Sequence, residues 1–231
     1  HRLIPPIETI INYVYKPTND RKNLHTLLYE NPFVSLNIQN YYETHDIIYH
    51  NYEHNGISLY LYEYTTMPKI NPLDVFHIID IMRNITNKNV DVKIVILSSP
   101  FKKKLFNVSE ENDKTFLPIH VNSGSTLKGS YINIWRYEEW QKVLIHEMIH
   151  YLEIDFNYKT NGFNNLVSYL DNKYNIDGNI IPSEAYTELL AVIIHTMYIS
   201  NNFKTFIEYF IFEQNFSLFQ TAKILHYIGA K

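Results

Sequence analysis

The segment VLIHEMIHYL, residues 143–152, places three ionisable side chains inside an otherwise apolar stretch. A run of this kind is typical of a buried helix, and burying imidazole or carboxylate groups is strongly unfavourable unless each of them is paired. A chain with this segment must therefore fold so that each of His146, Glu147 and His150 has a partner.

The spacing of these side chains favours a metal site. Residues four apart project from the same face of a helix, so His146 and His150 can offer ring nitrogens to one ion at about 2.0–2.1 Å. Glu147 is rotated roughly 100° from His146, which suits action on a water molecule beside the ion. In this H-E-x-x-H pattern the two histidines bind zinc and the glutamate is the general base. The alternative is a buried histidine pair held by hydrogen bonds alone.

A zinc site needs a third protein ligand, and the segment 182–195 offers two candidates. Its sequence, PSEAYTELLAVIIH, predicts a helix that begins near Pro182 and carries Glu184 and Glu188 one turn apart. Glu184 lies in the first turn, where the helix dipole favours a carboxylate, and we expect it to be the ligand. Glu188 could then accept the outer N–H of a ligating histidine. The reverse assignment, with Glu188 as ligand, and a solvated helix face both stay open.

HEMIH followed by a helix bearing E-x-x-x-E resembles the gluzincin branch of the zincin metallopeptidases, which includes the thermolysin-like enzymes. The resemblance implies that His146, His150 and Glu184 bind one Zn²⁺ ion and that Glu147 is the catalytic base. Glu188 would support a ligand histidine, although the family more often has Asp at that position. The implied activity is hydrolysis of peptide bonds in a protein or peptide substrate, as a metalloendopeptidase.

The family also has a His or Tyr that stabilises the oxyanion formed during hydrolysis, and no motif identifies this residue here. His195, Tyr198, His226 and Tyr227 are the candidates. We expect the role to fall in the region of His226 and Tyr227.

The order of predicted elements indicates an α+β fold in which a mixed sheet backed by helices is followed by a helical lobe. The predicted strands are 57–64, 91–98, 115–121 and 131–136, and the predicted helices are one starting at Asn71-Pro72, then 137–155, 162–174, 183–200, 203–214 and 216–228. This order resembles the upper lobe of the zincins, and the resemblance covers about residues 57–200. It implies that a strand near the cleft, either 115–121 or 131–136, aligns the substrate backbone.

We accordingly divide the chain into three regions. Residues 1–56 have no clear role, residues 57–157 form the sheet lobe with the active-site helix, and residues 158–231 form a helical lobe that carries the third metal ligand.

Composition excludes several other classes of function. The chain has no cysteine, which rules out disulfides, thiolate catalysis and cysteine-ligated zinc and leaves His, Asp and Glu as metal ligands. Charged residues make up 19% of the 231 residues and the net charge is −4, so no basic face for nucleic acid is expected. No apolar run is long enough to cross a bilayer, and we expect a soluble protein without a membrane span.

Two other functions stay open at this point. The chain could be a catalytically inactive zincin-fold binding or structural protein, or a metal-dependent hydrolase of a non-peptide amide or ester. The presence of Glu147 favours catalysis, because a purely structural site needs no base. His50 and His54 repeat the spacing of four, but their Tyr- and Asn-rich surroundings favour exposed histidines. His120 is expected on a strand near the cleft, as a hydrogen-bonded residue rather than a substrate contact.

Overall fold

The computed structural model describes residues 14–15, 22–103, 118–155, 161–174 and 182–228. These residues form an α+β fold with a mixed, open sheet of six strands. The strands are β1 (Val14–Tyr15), β2 (Ile47–His54), β3 (Ile57–Tyr64), β4 (Val92–Ser98), β5 (Gly124–Leu127) and β6 (Tyr131–Ile134). The helices are α1 (Lys22–His25), continued by a π-helical turn (Thr26–Glu30), α2 (Leu36–Thr44), α3 (Pro72–Thr86), α4 (Pro118–Val121), α5 (Trp140–Tyr151), α6 (Asn161–Tyr174), α7 (Pro182–Ile199) and α8 (Phe203–Ile228).

The strands lie in the order β1-β2-β3-β4-β6-β5. β4 pairs in parallel with both β3 and β6, whereas the other neighbouring pairs are antiparallel. The continuously apolar sequence of β4 predicts a central strand, and the structure confirms this. β5 lies at the opposite edge of the sheet from β1.

Both faces of the sheet are buried because side chains alternate along each strand. On one face, Leu59 and Leu61 pack with residues of α3 and α5. On the other face, Tyr62, Tyr64 and Trp135 pack with residues of α1, its π-helical continuation and α2.

The N-terminal region contributes to the same sheet and core. β2 pairs with β3 along its whole length, and the predicted boundary after residue 56 falls in the turn that joins these two strands. Leu24, Leu28 and Ile38 are completely buried against the sheet. The described part of this region therefore forms one of the layers on which the rest of the fold packs.

The predicted strand at 115–121 is wrong. Residues Pro118–Val121 form a short helix, with proline at its first position, where the missing N–H costs nothing, and residues 115–117 lie outside the described ones. The strand next to the predicted 131–136 is instead Gly124–Leu127, in a segment whose Gly and Ser content is typical of a turn. Pairing with β6 forms this strand, and such tertiary context overrides weak local preference.

Two other predicted elements have different bounds. The predicted strand 131–136 is confirmed as β6, which ends at Ile134. Because β6 lies between β4 and β5, neither of its edges is free to pair with a substrate backbone. Residues 203–228 form one helix rather than two. No Gly or Pro lies between the two predicted halves, so nothing interrupts the backbone hydrogen bonds.

Helix α5 lies between the sheet and the helical region. Its apolar side, which includes Leu144 and Met148, is buried in the core beneath the sheet. Its other side faces α7 and carries His146 and His150, each about 20% exposed. α5 ends at Tyr151, earlier than predicted. In the described part of the chain no helix has the length and apolarity needed to cross a membrane.

The N-terminal cap of α3, which Asn71 and Pro72 predict from the sequence, can be tested by substitution. The side chain of Asn71 accepts a hydrogen bond from the backbone N–H of Leu73 at 3.1 Å, and Pro72 follows at the first helical position. Asn71→Ala should lower the free energy of unfolding by about 1 kcal/mol because it removes this acceptor. Asn71→Asp keeps the acceptor and should leave stability nearly unchanged. Urea denaturation measures both, and equal stability of the Ala and Asp variants would contradict the capping role.

Candidate metal centre

The contacts between α5 and α7 bring the predicted ligands together. Glu184 contacts both histidines of α5, and Glu188 contacts His146 and Lys142. The two helices are therefore antiparallel, and each glutamate of α7 lies between two basic groups of α5.

Three donor atoms converge at this contact. The Nε2 atoms of His146 and His150 are 3.2 Å apart. The carboxylate oxygens of Glu184 lie 3.5 Å from Nε2 of His146 and 3.6 Å from Nε2 of His150. Ligand atoms around a tetrahedral zinc ion with bonds of about 2.0–2.1 Å are separated by about 3.3 Å. The spacing fits a metal ion held by the three groups, and one position would stay open for another ligand.

The outer ring nitrogens of both histidines have acidic partners. Nδ1 of His146 lies 3.0 Å from Glu188, and Nδ1 of His150 lies 2.9 Å from Asp155. When each Nδ1 donates its hydrogen to a carboxylate, Nε2 is left with its lone pair directed at the ion. Glu188 therefore contacts Nδ1 of His146, whereas Glu184 contacts Nε2 of the same ring.

Sequence reasoning missed Asp155. The predicted helix extended to this residue, which would have placed it on a different side of the helix from His150. Because α5 ends at Tyr151, the chain turns and returns the carboxylate to the imidazole. An acidic residue just beyond the helix end is a weak signal that could have drawn attention to it.

Glu147 is held beside the three donor atoms. Its side chain is buried, with 7% exposed, and one of its oxygens accepts a hydrogen bond of 2.7 Å from the hydroxyl of Thr126. Burial raises the pKa of Glu147, while the hydrogen bond from Thr126 and the nearby imidazoles oppose this shift. Thr126 lies on β5, a strand that was not predicted from the sequence, so no local signal indicated a place for it at the site.

His146, His150 and Glu184 line a cleft of about 510 Å³ between β5 and the two helices. The described residues that line it are Phe33, Lys103, Val121, Asn122, Ser123, Gly124, Ser125, Thr126, Lys142, Val143, His146, Glu147, His150, Glu184 and Glu188. Among the described strands β5 pairs only with β6, and three residues of β5 (Gly124, Ser125 and Thr126) line the cleft. The N-terminal region also reaches the cleft, through Phe33.

None of the predicted oxyanion-stabilising residues lies among the described residues that line the cleft. Tyr198 packs edge-to-face on His77 at 5.4 Å between ring centres. His195 is partly buried on α7, and His226 is exposed near the end of α8. The side chain of Tyr227 lies outside the described residues.

The remaining histidines singled out in the sequence form no second centre in the described part of the chain. His50 and His54 lie on β2, where residues four apart are separated by about 13 Å. They approach different carboxylates, those of Glu63 and Asp80. The side chain of His120 lies outside the described residues.

The carboxylates strongly affect the charge of the histidines. Burial lowers the pKa of His146, but hydrogen bonds with Glu184 and Glu188 outweigh burial and raise this pKa to about 9. The same hydrogen bonds with the two histidines hold the pKa of Glu184 well below its usual range. For Glu188, burial raises the pKa, yet His146 and Lys142 together bring it down to about 2. Without a metal ion, His146 is therefore protonated at neutral pH.

Comparison with known proteins identifies no relative of this chain. No protein-family model, no curated protein and no solved structure matches the chain. The assignment of the centre therefore depends on the residues and distances described above.

The close approach of β5 to α5 can be tested at Gly124. A Cβ atom at this position would lie 2.7 Å from Oε1 of Glu147 and 2.7 Å from Cγ1 of Val143. Gly124→Ala should therefore lower the free energy of unfolding by about 1–3 kcal/mol through overpacking. Gly162→Ala is the matched control, because a Cβ there meets no atom within 4 Å. Chemical denaturation measures both, and a Gly124→Ala protein as stable as the control would contradict the packing.

The raised pKa of His146 predicts how metal binding depends on pH. The proton on His146 stabilises the metal-free fold fully below pH 6.5, and this contribution is lost as pH rises towards 9. A metal ion must displace that proton, so apparent zinc affinity should keep rising up to about pH 9. Competition with a chromophoric chelator across this range measures the affinity. An affinity that levels off near pH 6.5, as for an ordinary imidazole, would contradict the prediction.

Proposed function

We propose that this protein is a zinc-dependent peptide hydrolase, a metalloendopeptidase of the gluzincin type with a zincin-like fold. The observation that carries the proposal is the convergence of His146, His150 and Glu184 next to the buried carboxylate of Glu147. Two imidazoles and one carboxylate form a donor set that suits catalytic zinc and leaves one position open. A purely structural site would need neither the open position nor the neighbouring carboxylate.

The residues of the site have separate tasks in this proposal. A zinc ion held by the three ligands supplies Lewis acidity that polarises a carbonyl group and makes water easier to deprotonate. Glu147 accepts the proton of the attacking water and transfers it to the nitrogen of the leaving amine. The raised pKa of Glu147 favours this uptake and transfer of a proton. The hydroxyl of Thr126 holds one oxygen of the carboxylate so that the other oxygen can face the substrate.

The edge of β5 with which no described strand pairs supports a peptide as substrate. An extended peptide can add to an exposed sheet edge through backbone hydrogen bonds, and Gly124, Ser125 and Thr126 of β5 line the same cleft as Glu147. Such pairing positions a peptide bond without requiring a particular side chain. In this proposal β5 replaces the two strands considered from the sequence as the element that aligns the substrate.

The arrangement of the elements also supports a zincin-like fold. A mixed sheet leads through β6 into the helix that carries HExxH, and a later helix supplies the third ligand. The cleft lies between the sheet edge and the helical region, as the resemblance implies.

Glu147→Gln is the direct test of the mechanism. The substitution keeps the size of the side chain and removes its ability to accept a proton, so peptide hydrolysis should fall by about 10²–10⁴-fold. Zinc content should stay at one ion per chain, because Glu147 is not a ligand. A peptide-library digest coupled to metal analysis measures both quantities.

The control is Glu153→Gln, which changes an exposed glutamate just after α5 that pairs with Lys128. It should keep full activity. Undiminished hydrolysis by Glu147→Gln would overturn the mechanism. Zinc without any cleavage by the unmodified protein would favour a binding or structural role, and cleavage of small amides or esters alone would favour a non-peptide hydrolase.

A further inference from the structure

The charged groups between α5 and α7 form a continuous row that extends beyond the metal ligands. Lys142, His146 and His150 lie four residues apart along one face of α5. Glu188 lies between the first two of these groups, and Glu184 lies between the last two. Acidic and basic side chains therefore alternate along this row.

Lys142 is the member of this row that neither the motif nor the proposed mechanism explains. Its ammonium group lies 2.6 Å from Oε1 of Glu188, while Oε2 of the same carboxylate lies 3.0 Å from Nδ1 of His146. Its side chain is only 16% exposed, on the wall of the cleft. A second carboxylate, that of Glu139, lies 3.7 Å away.

Extending the proposed function, on which this inference rests, we propose that Lys142 is a positioning residue for the metal centre. It binds one oxygen of Glu188 and thereby directs the other oxygen at the outer nitrogen of His146. The orientation of this ligand imidazole then depends on a lysine one helical turn away that touches neither the ion nor the ligand itself.

The physical basis is the freedom of the Glu188 side chain. Nearly half of this side chain is exposed, so without a second anchor its carboxylate could turn towards water. A charge-assisted hydrogen bond is roughly twice as strong as a neutral one, and a mostly buried ammonium group provides such an anchor. Burial disfavours the charged form of Lys142, but Glu188 and Glu139 outweigh it and raise the pKa of Lys142. Lys142 therefore stays charged at neutral pH.

The test is the zinc affinity of Lys142→Met, measured by competition with a chromophoric chelator. Loss of a direct outer partner of a ligand costs about 10–100-fold in affinity, so loss of a group one step further out should cost about 3–10-fold. Lys142→Arg keeps the charge-assisted bond and should restore most of the affinity. The matched control is Lys204→Met, which removes an exposed lysine that pairs with Glu208 on α8 and should leave affinity unchanged. Circular dichroism verifies that each variant is folded.

A double-mutant cycle with Glu188→Gln distinguishes positioning from other roles. If Lys142 acts through Glu188, Lys142→Met should have no further effect on zinc affinity once Glu188 is replaced. An equal loss in both backgrounds would overturn the inference, as would an unchanged affinity in the original background.

Steady-state kinetics on neutral and acidic peptides adds an independent measurement. A positioning role predicts a lower kcat with a similar KM for both peptides. A raised KM confined to the acidic peptide, with zinc affinity intact, would instead make Lys142 a substrate contact and overturn the inference. Failure of the unmodified protein to bind zinc would refute the proposed function itself. Normal zinc binding and hydrolysis with an unaffected Lys142→Met variant would refute only the role of Lys142.

Discussion

The antiparallel contact between α5 and α7 is the interaction on which the candidate site depends. At this contact α5 presents basic groups and α7 presents acidic ones, and partial burial of either set would be unfavourable without the other. The contact places every carboxylate between two basic groups, so the cost of removing these charges from water is offset by direct pairing. The same arrangement leaves two Nε2 atoms and a carboxylate directed at one point, which a metal ion fits.

The rest of the fold holds this contact in position. The sheet is buried on both faces, and α5 is fixed against it by apolar side chains opposite the histidines. β5 then approaches α5 so closely that only glycine fits at position 124, and Thr126 on the same strand holds Glu147. Positioning of the Glu147 carboxylate is therefore a property of the sheet edge, whereas positioning of His146, His150 and Glu184 is a property of the two helices. Both meet along the cleft where the proposed substrate would lie.

Much of the site could be predicted because its signals are local. The spacing of His146 and His150 identifies a helix face, and the Pro-Ser start before Glu184 identifies a first turn. The same holds for the strands β3 and β4 and for the cap at Asn71. The partners that were missed lack such a signal. Asp155 reaches its histidine only because α5 ends early, and β5 is a strand only because it pairs with β6.

The sequence by itself determined which chemical groups are available and which of them share a helix face. These properties depend on residue identity and on the helical repeat, neither of which needs knowledge of the rest of the chain. Tertiary structure alone decided that Glu184, rather than Glu188, lies near both Nε2 atoms. It also decided that Asp155 contacts His150, Thr126 contacts Glu147 and Lys142 contacts Glu188. These contacts join residues on separate elements or beyond a helix end, and their distances depend on how the helices and the sheet edge pack together.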